Sequence, residues 1–403
     1  MRVLLVYDLR LRKYEGSVEL VKYTKPIYLD YNATTPVAPE VSEAMQPYFE
    51  EHFGNPSSSH TYGKVAREAL NKAREQVAKL IGAEPNEIVF TSGGSESNNH
   101  AIIGTALANR KKGQHIITSK IEHPSVLETL RFLETRFRFK VTYLPVDEYG
   151  TVNPLDVEKA ITNETVLITL MHANNEVGTI EPIDAIGRFA EARGIIFHSD
   201  AAQSCGKIEV NVDRLNVDLL TLAGHKLYAP KGIGALYIRK GTRLDKFIHG
   251  AGQEQRQRAG TENVPYIVGL GHACEIASNI VHDFCLTIKM LRDKLHKGIT
   301  DGLGEDNVKL NGHPEQRLPN TLNLSLKGVI GEELLSQIPE IAASTGSACH
   351  AGLTEPSAVL LSMGLTREQA LGALRLSLGR WSTEEDVNEA SKLIVRNVQS
   401  KKK

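Results

Sequence analysis

Three polar segments of the chain carry side chains that could do chemistry together. In the first, FTSGGSESNN (90–99), glycines and hydroxyls stand where a helical pattern begins. Asp200 follows the apolar segment IIFHS, and Lys226 comes soon after LLTLA (219–223). Exposed N–H groups and hydroxyls at a helix N-terminus bind anions such as phosphate. With a carboxylate and a lysine nearby, this favours a phosphate-bearing cofactor that forms a Schiff base with lysine.

Each of these features also has an ordinary structural explanation. Many Gly-Gly turns before a helix bind nothing, a carboxylate such as Asp200 often caps a helix, and most lysines lie on the surface. The shared site is favoured because all three features follow predicted strands of the same sheet.

The elements that must position these groups alternate between short β-branched segments and helical patterns. Strands are predicted at 88–92, 115–119, 140–144, 166–172, 195–199, 219–223 and 233–238, and helices after Gly94, Pro124, Pro154 and Pro182. This alternation predicts an α/β fold with a mostly parallel, seven-stranded sheet covered by helices on both faces. Ligands of such sheets bind beyond the carboxyl ends of the strands.

The pattern changes after about Pro265, where a smaller α+β domain is predicted. It would contain a long helix to about Ile299, strands at 320–326 and 340–344, a loop at 345–356, and helices at 357–370 and 383–398. We therefore expect an N-terminal extension (1–26), a large domain (27–264) and a small C-terminal domain (265–403) that carries the loop with Cys349.

Composition narrows the class of protein. The 403 residues include 47 Lys+Arg against 48 Asp+Glu, so the net charge of −1 favours neither nucleic acid nor an anionic membrane as partner. No apolar run is long enough to span a bilayer. The N-terminus is a poor signal peptide, and Asp8, Glu15 and Glu19 argue against an organellar presequence. We expect a cytoplasmic protein, with an organellar location as the alternative.

The four cysteines give neither a disulfide framework nor metal-ligand spacing, which indicates a reducing compartment. Cys274 and Cys285 are expected to face the core from one long helix, and Cys205 is expected to serve packing. Cys349 differs because STGSACHAG is a run of small residues between Gly346 and Gly352, which favours a mobile thiol.

Taken together, the motifs resemble those of the cysteine desulfurases and the related selenocysteine lyases. These belong to the class V aminotransferase group of enzymes that use pyridoxal phosphate (PLP) and have fold type I. The resemblance runs from about Tyr28 to about Arg380, and its motifs occur in family order: YLDYNATTP, GNPSSSH, FTSGGSESNN, EHPSV, ANNEVGT, HSDAAQ, GHK, RAGTEN, GSAC and LRLSLGR.

The resemblance implies a role for each matching residue. Lys226 would bind PLP covalently and remove the substrate Cα proton, His123 would stack on the ring and shuttle protons, and Cys349 would be the nucleophile. Asn175 and Arg375 would hold the substrate carboxylate. The residues implied in cofactor binding are Gly94, Ser95, His123, Asn175, Asp200, Gln203, His225, Lys226 and, reaching across from the neighbouring subunit of a homodimer, Thr261. The chain departs from the family at Ala223, where relatives commonly place a hydroxyl that binds the phosphate.

The predicted function is a cysteine desulfurase. It would convert L-cysteine to L-alanine and pass the sulfur from a persulfide on Cys349 to an acceptor protein, for iron–sulfur clusters or thio-cofactors. The alternative is a selenocysteine lyase that releases selenide and L-alanine from L-selenocysteine. The ACH triplet and RLPNT (317–321) favour the lyase, whereas the GSAC loop favours the desulfurase. An aminotransferase would need no thiol, and a binding protein would need none of Lys226, Asp200 and Cys349.

Overall fold

The computed structural model describes residues 25–346 and 355–401, without the side chain of Lys401. In these ranges the strands are β1 (Ile27–Tyr28), β2 (Ile88–Thr91), β3 (His115–Ser119), β4 (Lys140–Leu144), β5 (Thr165–Met171), β6 (Ile196–Asp200), β7 (Leu219–Ala223), β8 (Gly234–Ile238), β9 (Val308–Asn311), β10 (Thr321–Leu326), β11 (Ile341–Ala342) and β12 (Ala373–Ser377). The helices are α1 (Pro39–Met45), α2 (Pro47–Glu50), α3 (Thr61–Ile81), α4 (Gly94–Asn109), α5 (Pro124–Phe137), α6 (Pro154–Ala160), α7 (Ile183–Arg193), α8 (Val264–Leu303), α9 (Gly331–Ser336), α10 (Ala358–Ser362), α11 (Arg367–Leu371) and α12 (Glu384–Lys401).

The large sheet has seven strands in the order β2-β8-β7-β6-β5-β3-β4. Only β8 runs antiparallel to its neighbours, β2 and β7. Strands β2, β3, β5, β7 and β8 are buried along their whole length, as expected when helices cover both faces of a parallel sheet. The predicted α/β fold and its seven-stranded sheet are confirmed. Asp200 is the last residue of β6 and not the first residue after it.

A small antiparallel sheet, in the order β12-β10-β9, and the pair β1-β11 complete the strands of the described chain. Helix α8 has 40 residues and is therefore about 60 Å long. Its first half places Cys274 in the core beneath the large sheet, and its second half packs Leu291 and Leu295 against β10 and β12. One helix thus holds both cores together.

The structure differs from the sequence predictions in several details. The helix predicted at 357–370 is two helices, α10 and α11, because Gly364 adopts a left-handed φ of +87° and Thr366 starts a new helix with a capping box. Cys274 is buried as predicted, but Cys285 is only partly buried, and its Sγ donates to the carbonyl oxygen of Lys207 over 2.7 Å. The strand predicted at 340–344 is reduced to two residues.

Among the helices of the described ranges, none has both the length and the apolar character needed to cross a bilayer. The domain boundaries given above stay a prediction.

Candidate active site

The candidate site is a cleft of about 890 Å³ where polypeptide turns follow the carboxyl ends of several strands of the large sheet. Nine of the predicted site residues line it: Gly94, Ser95, His123, Asn175, Asp200, Gln203, His225, Lys226 and Arg375. Thr261 is exposed and does not line this cleft. Cys349 lies outside the described residues.

The turn between β2 and α4 forms one wall of the cleft. Gly93 has a φ of +147°, which side chains disfavour, and a Cβ on Gly94 would lie 3.3 Å from the Cβ of Ala223. The backbone of the turn at Gly94 therefore packs close to Ala223. The first N–H groups of α4 lack partners within the helix. Glu96 pairs with Arg258 at 2.9 Å, so the RAGTEN segment is tied to the same turn. The wall suits an anionic group.

Ala223 stands beside this turn and is buried at the cleft wall. We expect Ala223→Ser to tighten phosphate-dependent cofactor binding, because the hydroxyl adds a charge-assisted hydrogen bond worth up to about 1.5–3 kcal/mol. The measurement is the dissociation constant of PLP from cofactor-free wild type and variant. Pyridoxal without phosphate is the control and should gain nothing. Equal or weaker retention of PLP by the variant would show that another group already satisfies the phosphate.

Asp200 supplies a carboxylate at the floor of the cleft. Its Oδ2 accepts a hydrogen bond from Nδ2 of Asn98 over 2.7 Å, and its Oδ1 accepts one from the backbone N–H of Ala202 over 2.9 Å. Both donors fix the carboxylate in place, with lone pairs left on each oxygen. Such a group can hold a protonated ring nitrogen.

Lys226 follows β7 and has its amine among carbonyl groups. The Nζ donates to the carbonyl oxygens of Asn32 and Ala33, the second over 3.0 Å. Burial and the charge of Arg375 lower the pKa of Lys226 to about 8, although Asp200 and Asp30 oppose the shift. About a tenth of the amine is therefore neutral at pH 7, far more than for an ordinary lysine, and the neutral amine is the nucleophilic and basic form.

Two histidines, His123 and His225, line the cleft near Lys226. His123 caps the N-terminus of α5, where its Nδ1 accepts the backbone N–H of Ser125. Burial lowers the pKa of His123, and Lys226 adds to this while Asp200 opposes it. Burial and Lys226 lower the pKa of His225 to about 4. Both rings are therefore neutral at pH 7.

The predicted substrate clamp, Arg375, lies on β12 and enters the cleft from the small sheet. Its Nη2 pairs with Oδ1 of Asp30 at 2.8 Å, and its Nη1 donates to the carbonyl oxygen of Asn175 over 3.4 Å. Its Nε is buried and has no partner in the described part of the chain. The guanidinium is held by one carboxylate and still has donors for a second.

A buried polar network beneath Lys226 was missed by the sequence analysis. Lys207 donates to Oε1 of Gln203 over 2.6 Å and to Oδ1 of Asn32 over 3.1 Å. Gln203 in turn donates from Nε2 to the Asn32 carbonyl oxygen over 3.0 Å. Lys207 thus fixes the Gln203 amide so that its donor group faces Asn32 and the cleft. Burial lowers the pKa of Lys207 well below its usual value.

Glu176, also missed, lines the cleft beside Asn175. Its carboxyl group is hydrogen-bonded by the hydroxyl of Ser357. Burial raises its pKa to about 7, although Ser357 and Arg375 oppose the shift. The only sequence signal for Asn32 and Glu176 was their place inside the family motifs YLDYNATTP and ANNEVGT.

Comparisons with known proteins agree with this geometry. A sequence profile of the aminotransferase class-V family matches residues 27–389. The chain is 51% identical over 377 residues to the cysteine desulfurase IscS of Methanosarcina thermophila, which covers 93% of this chain and 92% of that relative. The chain belongs to the aminotransferase class-V family. Members of this family typically use PLP, and the predicted family is confirmed.

Solved structures of aminotransferase class-V relatives have the same fold. A NifS-like protein superposes with a TM-score of 0.87 at 39% identity, over 93% of this chain and all of that one. The structure described as SspA in complex with cysteine superposes with a TM-score of 0.78 at 41% identity, over 89% of this chain and 100% of that one.

Proposed function

We propose that this protein is a PLP-dependent cysteine desulfurase, which converts L-cysteine to L-alanine and retains the sulfur as a persulfide. The observation that carries the proposal is that one cleft holds a lysine with a lowered pKa, an anchored carboxylate, an anion-binding turn and a partly unpaired arginine: Lys226, Asp200, the turn at 93–95 and Arg375. The desulfurase name of the Methanosarcina thermophila relative and the cysteine in the SspA structure agree with it.

The residues of the cleft have the chemistry that PLP binding requires. Gly94 and Ser95 at the start of α4 would hold the phosphate, together with His225. Asp200 would hold the ring nitrogen, and Gln203 would donate to the ring hydroxyl with the amide group that Lys207 fixes. Lys226 would bind the aldehyde. When bound, PLP withdraws electrons from the substrate Cα and so makes its proton acidic.

The chain's own residues then supply binding and proton transfer. Arg375 and Asn175 hold the substrate carboxylate and thereby fix which bond at Cα faces Lys226. Lys226 takes the Cα proton because its neutral amine is populated near pH 7. His123 would stack on the ring of PLP as a neutral imidazole, because burial lowers its pKa.

Cys349 is the proposed nucleophile toward the substrate sulfur, because it lies in the GSAC motif and in a run of small residues. The described residues on either side of its segment, Gly346 and Glu355, both line the cleft. The persulfide sulfur would pass from Cys349 to an acceptor protein, for iron–sulfur clusters or thio-cofactors.

Selenocysteine lyase is the second candidate, because ACH and RLPNT favour it in the sequence. We expect Cys349→Ala to abolish sulfur release from L-cysteine and to keep part of the selenide release from L-selenocysteine, since a thiol reductant in the assay can take the selenium directly and supply the two electrons that convert it to selenide. The measurement is paired turnover on both substrates, with Cys285→Ala as control because Cys285 does not line the cleft. Undiminished sulfur release by Cys349→Ala would remove this thiol from the mechanism.

The remaining proposals concern assembly and location. Thr261 is exposed on this chain, which agrees with a homodimer in which the partner subunit's Thr261 reaches the phosphate. We propose a cytoplasmic location.

A further inference from the structure

His123 is connected to Asp200 by a chain of hydrogen bonds through two neutral side chains. Asn98, on α4, donates from Nδ2 to Oδ2 of Asp200 over 2.7 Å and to Oγ of Ser125 over 2.8 Å. Ser125, on α5, places its Oγ 2.8 Å from Nδ1 of His123, and its backbone N–H donates to the same Nδ1 over 3.1 Å. The carboxylate of Asp200 on β6 is thus linked through Asn98 on α4 and Ser125 on α5 to the imidazole of His123.

The carboxylate fixes the direction of every bond in this chain. A carboxylate oxygen accepts hydrogen bonds, so the part of Asn98 that faces Asp200 is the amide NH₂. Its second hydrogen goes to Ser125, which leaves the Ser125 hydroxyl hydrogen for Nδ1 of His123. Because Nδ1 accepts from both the hydroxyl and the backbone N–H, it carries no proton. Asn98 is 1% exposed and its Oδ1 has no partner among the described residues, so the amide is oriented by its NH₂ bonds.

We propose that Asn98 and Ser125 are positioning residues that hold His123 as the neutral tautomer with its proton on Nε2. Nε2 is then the ring nitrogen that donates a hydrogen bond into the cleft, while the basic Nδ1 is occupied by its two donors. The tautomer follows from the hydrogen bonds alone, whereas its use in catalysis rests on the proposed function.

The charged and titratable groups around His123 are compatible with a neutral ring. Burial lowers its pKa, Lys226 adds to this, and Asp200 opposes it. His225, the other ring that interacts with His123, has a pKa of about 4 and is neutral itself. The two donors to Nδ1 stabilise the neutral ring further, because protonation at Nδ1 would break both bonds.

The test is ¹⁵N NMR of cofactor-free protein labelled in the histidine rings, with the His123 signals assigned by their loss in His123→Asn. In the wild type we expect an unprotonated Nδ1 and a protonated Nε2 at pH 7. Ser125→Ala removes one donor to Nδ1, so the pKa of His123 should rise by roughly half to one pH unit. Ser125→Thr keeps the hydroxyl and should restore the wild-type signals.

Thr129→Val is the matched control on the same helix. It removes the hydroxyl that donates to the Ser125 carbonyl oxygen over 2.7 Å but leaves the His123 contacts intact, so the signals should not change. A protonated Nδ1 in the wild type, or a Ser125→Ala spectrum equal to that of the wild type, would overturn the proposal. Because the protein is cofactor-free, the NMR result does not depend on whether the enzyme forms alanine from cysteine. A failure of the proposed function would appear only in an assay of alanine formation.

Discussion

Lys226→Ala is expected to abolish covalent cofactor attachment and to lower turnover of L-cysteine by at least about 10²–10⁴-fold, the usual contribution of a positioned acid or base. The amine is partly buried, donates to the carbonyl oxygens of Asn32 and Ala33, and has its pKa lowered to about 8, so it can act as both nucleophile and base. Attachment is measured by borohydride reduction followed by mass spectrometry of the labelled peptide.

The lowered pKa of Lys226 also sets the pH dependence of attachment. Since the neutral amine is the attacking form, the rate of attachment to cofactor-free wild type should rise with pH until it levels off above a pKa of about 8. Lys231→Ala is the control, because Lys231 also lines the cleft but is exposed. A Lys226→Ala protein with normal turnover, or attachment that moves to Lys231, would contradict the assignment.

Arg375→Ala is expected to lower kcat/KM for L-cysteine by roughly 30- to several-thousand-fold, equivalent to about 2–5 kcal/mol for truncating one partner of a buried charge pair. The substitution removes the donors for the substrate carboxylate and leaves Asp30 without its ion pair. Arg375→Lys should lose less, since it keeps the charge but cannot make a planar two-point contact. Steady-state kinetics separate kcat from KM.

Cysteamine, which lacks the carboxylate, makes this test specific. It should be an equally poor ligand for wild type and Arg375→Ala, measured by its inhibition constant against L-cysteine. Arg380→Ala is the matched control from the same LRLSLGR segment, because Arg380 pairs with Glu40 and does not line the cleft. Equal kcat/KM for wild type and Arg375→Ala would remove the clamp from the mechanism.

The fold and most of the cleft were predictable because they depend on local patterns. Strands β2 to β8 are short segments rich in β-branched and apolar residues, and polar groups that follow parallel strands of one sheet meet at one edge of it. The sequence alone therefore predicts that Asp200 and Lys226 lie together. Gly364 shows the limit of the local pattern, since its left-handed φ divides a helix whose apolar spacing looked continuous.

The supporting contacts could not be predicted, because they join residues that are far apart in the sequence. Asn98 meets Asp200 across 102 positions and Lys207 meets Asn32 across 175. Asn and Lys are common on surfaces, and only the packing of distant segments against each other places Asn98 and Lys207 in the interior.

The most direct test of the account is the product balance of wild-type protein with PLP, L-cysteine and a thiol reductant. Alanine, sulfide and pyruvate are measured in the same reaction. We expect one alanine for each sulfide released and little pyruvate, because the sulfur is transferred to form a persulfide and the added thiol reduces this persulfide to sulfide. Pyruvate in place of alanine, or no alanine at all from a protein that binds PLP, would contradict it.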